Sequence, residues 1–240
     1  MIILSPASTG KGRDHAGTTV TAMVPLVTQT RDGSVAVITI DDGKVNAVND
    51  ALLDDLEAAL DAATGARAIV LSGRTGVFSG GFDLAVVGQG GPAAEDLVRR
   101  GGRIVSRLYS SPVPVVVACT GHAVAMGAVL LLATDYRVGS DGEFAVGLNE
   151  VAIGMPMPAL VVALAKERLT ASRLTEAVLL ARMWTTPEAV EVGFLDEVVP
   201  TDAVLATALD RAKDVGTRLQ PDAYQETSRR LRAAGSAPME

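Results

Sequence analysis

The chain has 240 residues, 48% of them hydrophobic and 20% charged, with a net charge of −7 at neutral pH. That is enough apolar material for one large core in a single α/β domain, and the negative balance argues against a nucleic-acid or anionic-membrane surface. The one cysteine, Cys119, excludes an internal disulfide; set in an apolar run, it reads as a buried, inert thiol in a reducing cytoplasm.

Residues 1–22 read as a flexible extension. Gly, Ser, Thr and charged residues dominate 8–21, and no long apolar core with a small-residue cleavage site marks a signal peptide. A core domain is expected over 23–200 and a C-terminal helical segment over 201–240. Residues 35–40 alternate in the strand period, and residues 50–63 place Leu52, Leu53, Leu56, Ala59 and Leu60 at helical spacing behind Asn49 as cap. Residues 68–72 read as a buried strand by length and β-branching. The glycine turn Phe78-Ser79-Gly80-Gly81-Phe82-Asp83-Leu84 follows, with Asp83 placed to cap the next helix.

A second helix is predicted over 93–109, with Leu97, Ile104, Val105 and Leu108 inward. Residues 113–119 read as another buried strand, followed by the turn Gly121-His122-Ala123-Val124-Ala125-Met126-Gly127 and an apolar helix over 126–134. Residues 115–134 are as long and apolar as a membrane span, but Gly121, His122 and Gly127 interrupt them and Pro112 and Pro114 precede them. Strand, turn and buried helix fit better. Short strands are predicted at 136–138 and 143–146. From 157 onward the pattern is helical except for a strand at 195–199, with Pro187 and Pro200 at boundaries.

Two glycine turns, each after a β-branched strand, can aim backbone N–H groups at one point. A carbonyl that becomes an enolate needs such fixed, non-titratable donors where the charge develops. The Met126 N–H falls in the first turn of the predicted helix, where backbone donors have no internal partner and the macrodipole welcomes an anion. Other chemistries find no footing. There is no nucleophile elbow around Ser72 or Ser79, no His or Cys cluster for a metal, and no Gly-rich nucleotide motif opening a helix.

Four segments, DDGKVNAVN (41–49), FSGGFDL (78–84), TGHAVAMGAVLLLATDYR (120–137) and GLNEVAIGM (147–155), occur in the order and spacing of the crotonase family, and the chain resembles that family of enoyl-CoA hydratases and isomerases over residues 24–219. The resemblance implies stacked ββα units with a C-terminal helical region and an acyl-CoA substrate. It implies no cofactor, since coenzyme A enters with the substrate. It also implies a homotrimer or hexamer, for which the amphipathic segment 204–219 is the sequence's own mild support, a face that packs on its own chain as easily.

Carried over residue by residue, the resemblance makes the backbone N–H groups of Phe82 and Met126 the oxyanion donors. Glycine is common at the second position, but any residue except proline keeps the donor. Asn46, Ala47 and Val48 match the segment whose backbone pairs with coenzyme A, and Lys44 and Arg74 lie close enough in sequence to meet its phosphates. Gly81, Asp83, His122 and Gly127 flank the donors and complete the substrate-binding candidates; for His122 the plainer role is packing. Met155, Met157 and Trp184 are candidates for the acyl pocket or the core.

Family hydratases hold and activate water with two glutamates. Val129 stands where one belongs, and the other matches Glu150. A valine cannot orient or deprotonate water. One carboxylate suffices to take a proton from C2 of a 3-enoyl thioester and return it at C4, so the first expectation is a double-bond isomerase using Glu150. Hydration or another thioester reaction comes second, and an acyl-CoA-binding protein without catalysis third. An apolar pocket around Val129 should raise the Glu150 pKa.

Overall fold

The computed structural model describes residues 25–232; the extension expected at 1–22 lies outside them. A hairpin opens the fold, β1 (Val27–Asp32) antiparallel to β2 (Val35–Ile40). Then come β3 (Ala47–Val48) and α1 (Asp50–Ala62), whose cap is Asn49, its Oδ1 accepting from Leu52 N at 3.0 Å. The five apolar residues predicted to face inward from α1 are all buried. Next are β4 (Ala68–Ser72), β5 (Gly76–Ser79), β6 (Gly81–Phe82), the one-turn helix α2 (Leu84–Val87) capped by Asp83, and α3 (Gly91–Tyr109). Pro92 in the first turn starts α3 two residues before the expected point.

The apolar run of 115–134 divides into β7 (Val115–Cys119), β8 (Gly121–Val124) and α4 (Met126–Leu132). What reads as a turn at 121–124 is thus a short strand. After β9 (Tyr136–Ser140), the strand expected at 143–146 is displaced to β10 (Val146–Gly147). The cause is a contact from β8: the Ala145 N–H is given to His122 Nδ1 at 2.9 Å, and the Phe144 ring stands edge-on to that imidazole at 5.3 Å. The rest comprises α5 (Ala159–Arg168), α6 (Leu174–Val178), α7 (Thr186–Val192), β11 (Glu197–Val199), α8 (Val204–Arg218) and α9 (Pro221–Arg232). β11 starts two residues later than predicted because the Phe194 and Leu195 N–H groups still bond Ala189 O at the end of α7.

The main sheet runs β1-β2-β4-β7-β9-β11, parallel from β2 onward. A second, smaller parallel sheet runs β10-β8-β5, and β3 pairs with β6. Each repeat of the chain therefore places one strand in the large sheet, steps across into the small one and returns through a helix, which is the stacked ββα architecture. β4 and β7 are buried on both faces, as parallel strands require. Ile69, Leu71, Val115 and Val117 face the large core with α1, α3 and α4, whereas Ala68, Val70, Val116 and Ala118 face α8. α8 meets them with Val204, Ala208, Ala212 and Gly216, a stripe of small residues that brings its axis close to the sheet. The apolar face of 204–219, expected to support assembly, is therefore covered by its own chain.

Candidate active site

Three neighbouring parallel strands end at one place. β5 leads through Gly80 and Gly81 to Phe82, β8 through Ala125 to Met126, and β10 through Leu148 to Asn149 and Glu150. Register pairs Gly76 with Gly121, Val77 with His122, Val146 with Ala123 and Gly147 with Val124, so segments far apart in sequence emerge side by side at the carboxyl ends of the strands, where ligands of parallel α/β sheets gather.

The two glycine turns pack against each other too closely for a side chain at either glycine. A Cβ on Gly81, whose φ is +92°, would lie 2.8 Å from Ala125 Cβ and 3.0 Å from Val124 O; one on Gly127 would lie 2.4 Å from Ser79 O. Only glycine allows that approach. Met126 N is 3.4 Å from the same point beside Gly81, one residue from Phe82. Because Met126 opens α4, its N–H has no acceptor within the helix. Phe82 N–H turns away from β3 by strand alternation, since the next N–H, that of Asp83, is the one bonded to Val48 O at 3.0 Å. Between the turns, Ala125 holds φ at +50°, a conformation disfavoured for a residue with a Cβ.

Asn46 anchors the first turn. It is fully buried at φ +52°, donates through Nδ2 to Ile40 O and Phe78 O at 3.0 Å each, and accepts from Asp42 N at 2.9 Å. Its carbonyl accepts from Ser79 Oγ at 2.8 Å. The side chain is thus committed to fixing Phe78–Ser79 against β2, a structural role that the sequence pattern does not reveal.

A cavity of about 670 Å³ opens over the turns. Of the residues singled out from sequence, Phe82, Met126, Val129, Glu150 and Met155 line it. Leu84 and Val87 of α2, Val98 and Val105 of α3, and Leu160 and Val161 of α5 add an apolar wall with no motif to announce it. Its charged groups besides Glu150 are Glu95 and Arg99, both exposed on α3. Glu150 is only 8% exposed. Burial raises its pKa, offset in part by its own and Asn149's backbone amides, and its Oε2 is buried with no hydrogen-bond partner among the described residues.

The other candidates lie away from the cavity lining. His122 accepts the Ala145 N–H at Nδ1 and packs on Phe144. Gly81, Gly127 and Asp83 shape the turns and cap α2, and Ala47 and Val48 pair with Gly81 and Phe82. Lys44 is exposed, while Arg74 is engaged by Asp41 at 3.3 Å and by Lys44 O at 2.6 Å. Trp184 is buried under Arg182, whose guanidinium lies 4.0 Å from the ring centroid.

A family model described as enoyl-CoA hydratase/isomerase matches residues 30–238. An enoyl-CoA hydratase of Mycobacterium marinum is 41% identical at a TM-score of 0.84, covering 88% of this chain and 92% of that one. A Mycobacterium tuberculosis protein, described with one solved structure as an enoyl-CoA isomerase and with another as a probable enoyl-CoA hydratase, is also 41% identical, at a TM-score of 0.85, covering 89% and 93% in the first of these. Human mitochondrial enoyl-CoA delta isomerase 1 is 30% identical over 190 residues, 77% of this chain. The chain spans less than two thirds of the curated relatives it matches, 63% of the human protein and 64% of one from Thermus thermophilus.

Proposed function

The chain belongs to the enoyl-CoA hydratase/isomerase, or crotonase, family, which acts on acyl-CoA thioesters, and we propose that this member shifts the double bond of a 3-enoyl-CoA into conjugation with the thioester. The observation that carries this reading is the pairing on one cavity wall of a single buried carboxylate, Glu150, with Val129 in the position of a second acid. In this reading the thioester oxygen sits between the Phe82 and Met126 N–H groups. Glu150 removes a C2 proton, and the electron pair spreads into a dienolate whose oxygen the two amides stabilise. The same carboxyl returns the proton at C4, so no water is consumed and no cofactor is required.

A base that must then act as an acid works best with a pKa moved towards neutrality, and burial moves Glu150 in that direction. The apolar lining from α2, α3 and α5 suits a hydrocarbon acyl chain and keeps competing water from the dienolate. Assembly as a trimer or pair of trimers, in a cytoplasmic setting, completes the proposal. Leu179, Leu180 and Leu231, each more than 60% exposed, are apolar residues for an interface to cover, and light scattering tests the mass. Among the described residues no helix is long and apolar enough to cross a membrane.

The decisive assay follows absorbance of the conjugated thioester with a 3-enoyl-CoA and, separately, a 2-enoyl-CoA. A rise with the first and no loss with the second is the expected result. Loss with the second would replace isomerisation by hydration. No change in either, with the ester bound, would move the function to another thioester reaction or to binding alone.

A further inference from the structure

Among the described residues four buried side-chain atoms lack a hydrogen-bond partner: Arg137 Nη1, Trp184 Nε1, Asn149 Oδ1 and Glu150 Oε2. The first two residues lie away from the cavity; the last two are consecutive and both line it. The Asn149 side chain makes no hydrogen bond to any described residue, while its backbone carbonyl accepts from Ile153 N at 3.2 Å. An unpaired buried amide oxygen weakens a fold. An apolar side chain would suit this wall as well as its neighbours do, so the amide calls for an explanation outside the resting protein.

Two unpartnered acceptors on consecutive residues of one cavity lining need a donor, and the proposed reaction makes one. Glu150 takes hydrogen from C2 as a proton, the C–H pair entering the dienolate, and for the interval between transfers it carries an O–H. That O–H bond then breaks, its pair returning to the carboxylate, while the terminal pair of the dienolate forms the C4–H bond. We propose that Asn149 is a positioning residue for this interval: its Oδ1 accepts the O–H of protonated Glu150, directly or through one water, and holds the carried proton in the site until that hydrogen bond is released and the O–H turns to C4. This inference rests on Glu150 being the proton carrier. It assigns a use to an atom that the fold leaves unpaired. The exposed charges of the cavity, Glu95 and Arg99, both stand on α3, so the carried proton has no buried titratable competitor in that lining.

The test uses the full chain with a 3-enoyl-CoA across the pH range. Asn149→Ala is expected to lower kcat by about tenfold, the effect of one lost hydrogen bond, with KM within about twofold and no fall in melting temperature. Asn149→Asp, nearly the same shape, makes two carboxyls compete for one proton and should move the acid limb of kcat/KM upward by about one pH unit or more. A kcat for Asn149→Ala within about twofold of the parent would overturn the inference. So would an acid limb unmoved in Asn149→Asp, or a melting temperature that falls while kcat holds. Glu150→Gln, run alongside, separates the two ideas. If it is inactive while both Asn149 variants behave as the parent, only the role of Asn149 falls; if it retains turnover, the proton-carrier reading falls and takes Asn149 with it.

Discussion

The two sides of the main sheet are built to different rules. Against its outer face, α8 lays Val204, Ala208, Ala212 and Gly216 on Ala68, Val70, Val116, Ala118 and Val138, a close fit of small side chains. Arg67 finishes that layer by donating to Gly216 O at 2.9 Å and Leu219 O at 2.7 Å at the end of the helix. On the other side, beyond the small sheet, the cavity wall holds a left-handed alanine at 125, a carboxyl buried at Glu150 and two unpaired oxygens. One region satisfies its groups and carries stability; the other leaves groups unsatisfied, and those are the ones with chemistry to offer.

Breaking this contrast at its functional end should have the largest effect. Glu150→Gln is expected to lower turnover by about 10²–10⁴-fold, the usual worth of a general acid–base group, while raising the melting temperature at neutral pH. The sign follows from burial. Glu150 holds its proton more tightly in the folded protein than in the unfolded chain, so its contribution to stability is full below the ordinary carboxylate range and is lost as pH rises through the folded value. The variant, having no proton to lose, should lack that decline. Melting curves at acid and neutral pH, compared between parent and variant, check it.

At the structural end, Ala212→Leu inserts bulk under α8 and should destabilise by about 1–3 kcal/mol with kcat of the folded fraction unchanged, a denaturation curve and an assay being sufficient. The smallest effect concerns Cys119. Desolvation pushes its thiol up to about 12, so a thiol reagent at neutral pH should leave the native protein unmodified and active, and label it only after unfolding. Labelling of the native state would mean that β7 opens to solvent at neutral pH.

Local patterns were legible wherever one segment answered to its own periodicity. The α1 face, the Asn49 and Asp83 caps, the strand of 68–72, the strand expected at 113–119 and found from 115, and the helix after the second turn follow from spacing and capping alone. The pattern erred where a partner from elsewhere took over the backbone, as His122 does at Ala145 and Ala189 does at Leu195. Within the site, Glu150 and the two glycine turns were visible as motifs. Asn46 was visible only as part of one, and its grip on Ile40 and Phe78 spans two strands that no local window contains. The orphan oxygen of Asn149 could not be read at all, because lack of a partner is a property of surroundings.

The amino-acid sequence by itself determined most of which segments become strands and helices, where glycine permits the backbone to turn, and that Val129 and Glu150 stand where the family resemblance looks for two acids. Those are short-range matters of dihedral freedom, side-chain period and residue identity. Only the tertiary structure decided that β5, β8 and β10 end together, that α8 covers its own sheet, and that Glu150 is buried beside an unpaired amide in an apolar cavity. Register between distant strands and the desolvation of a carboxylate both depend on what the rest of the chain brings alongside.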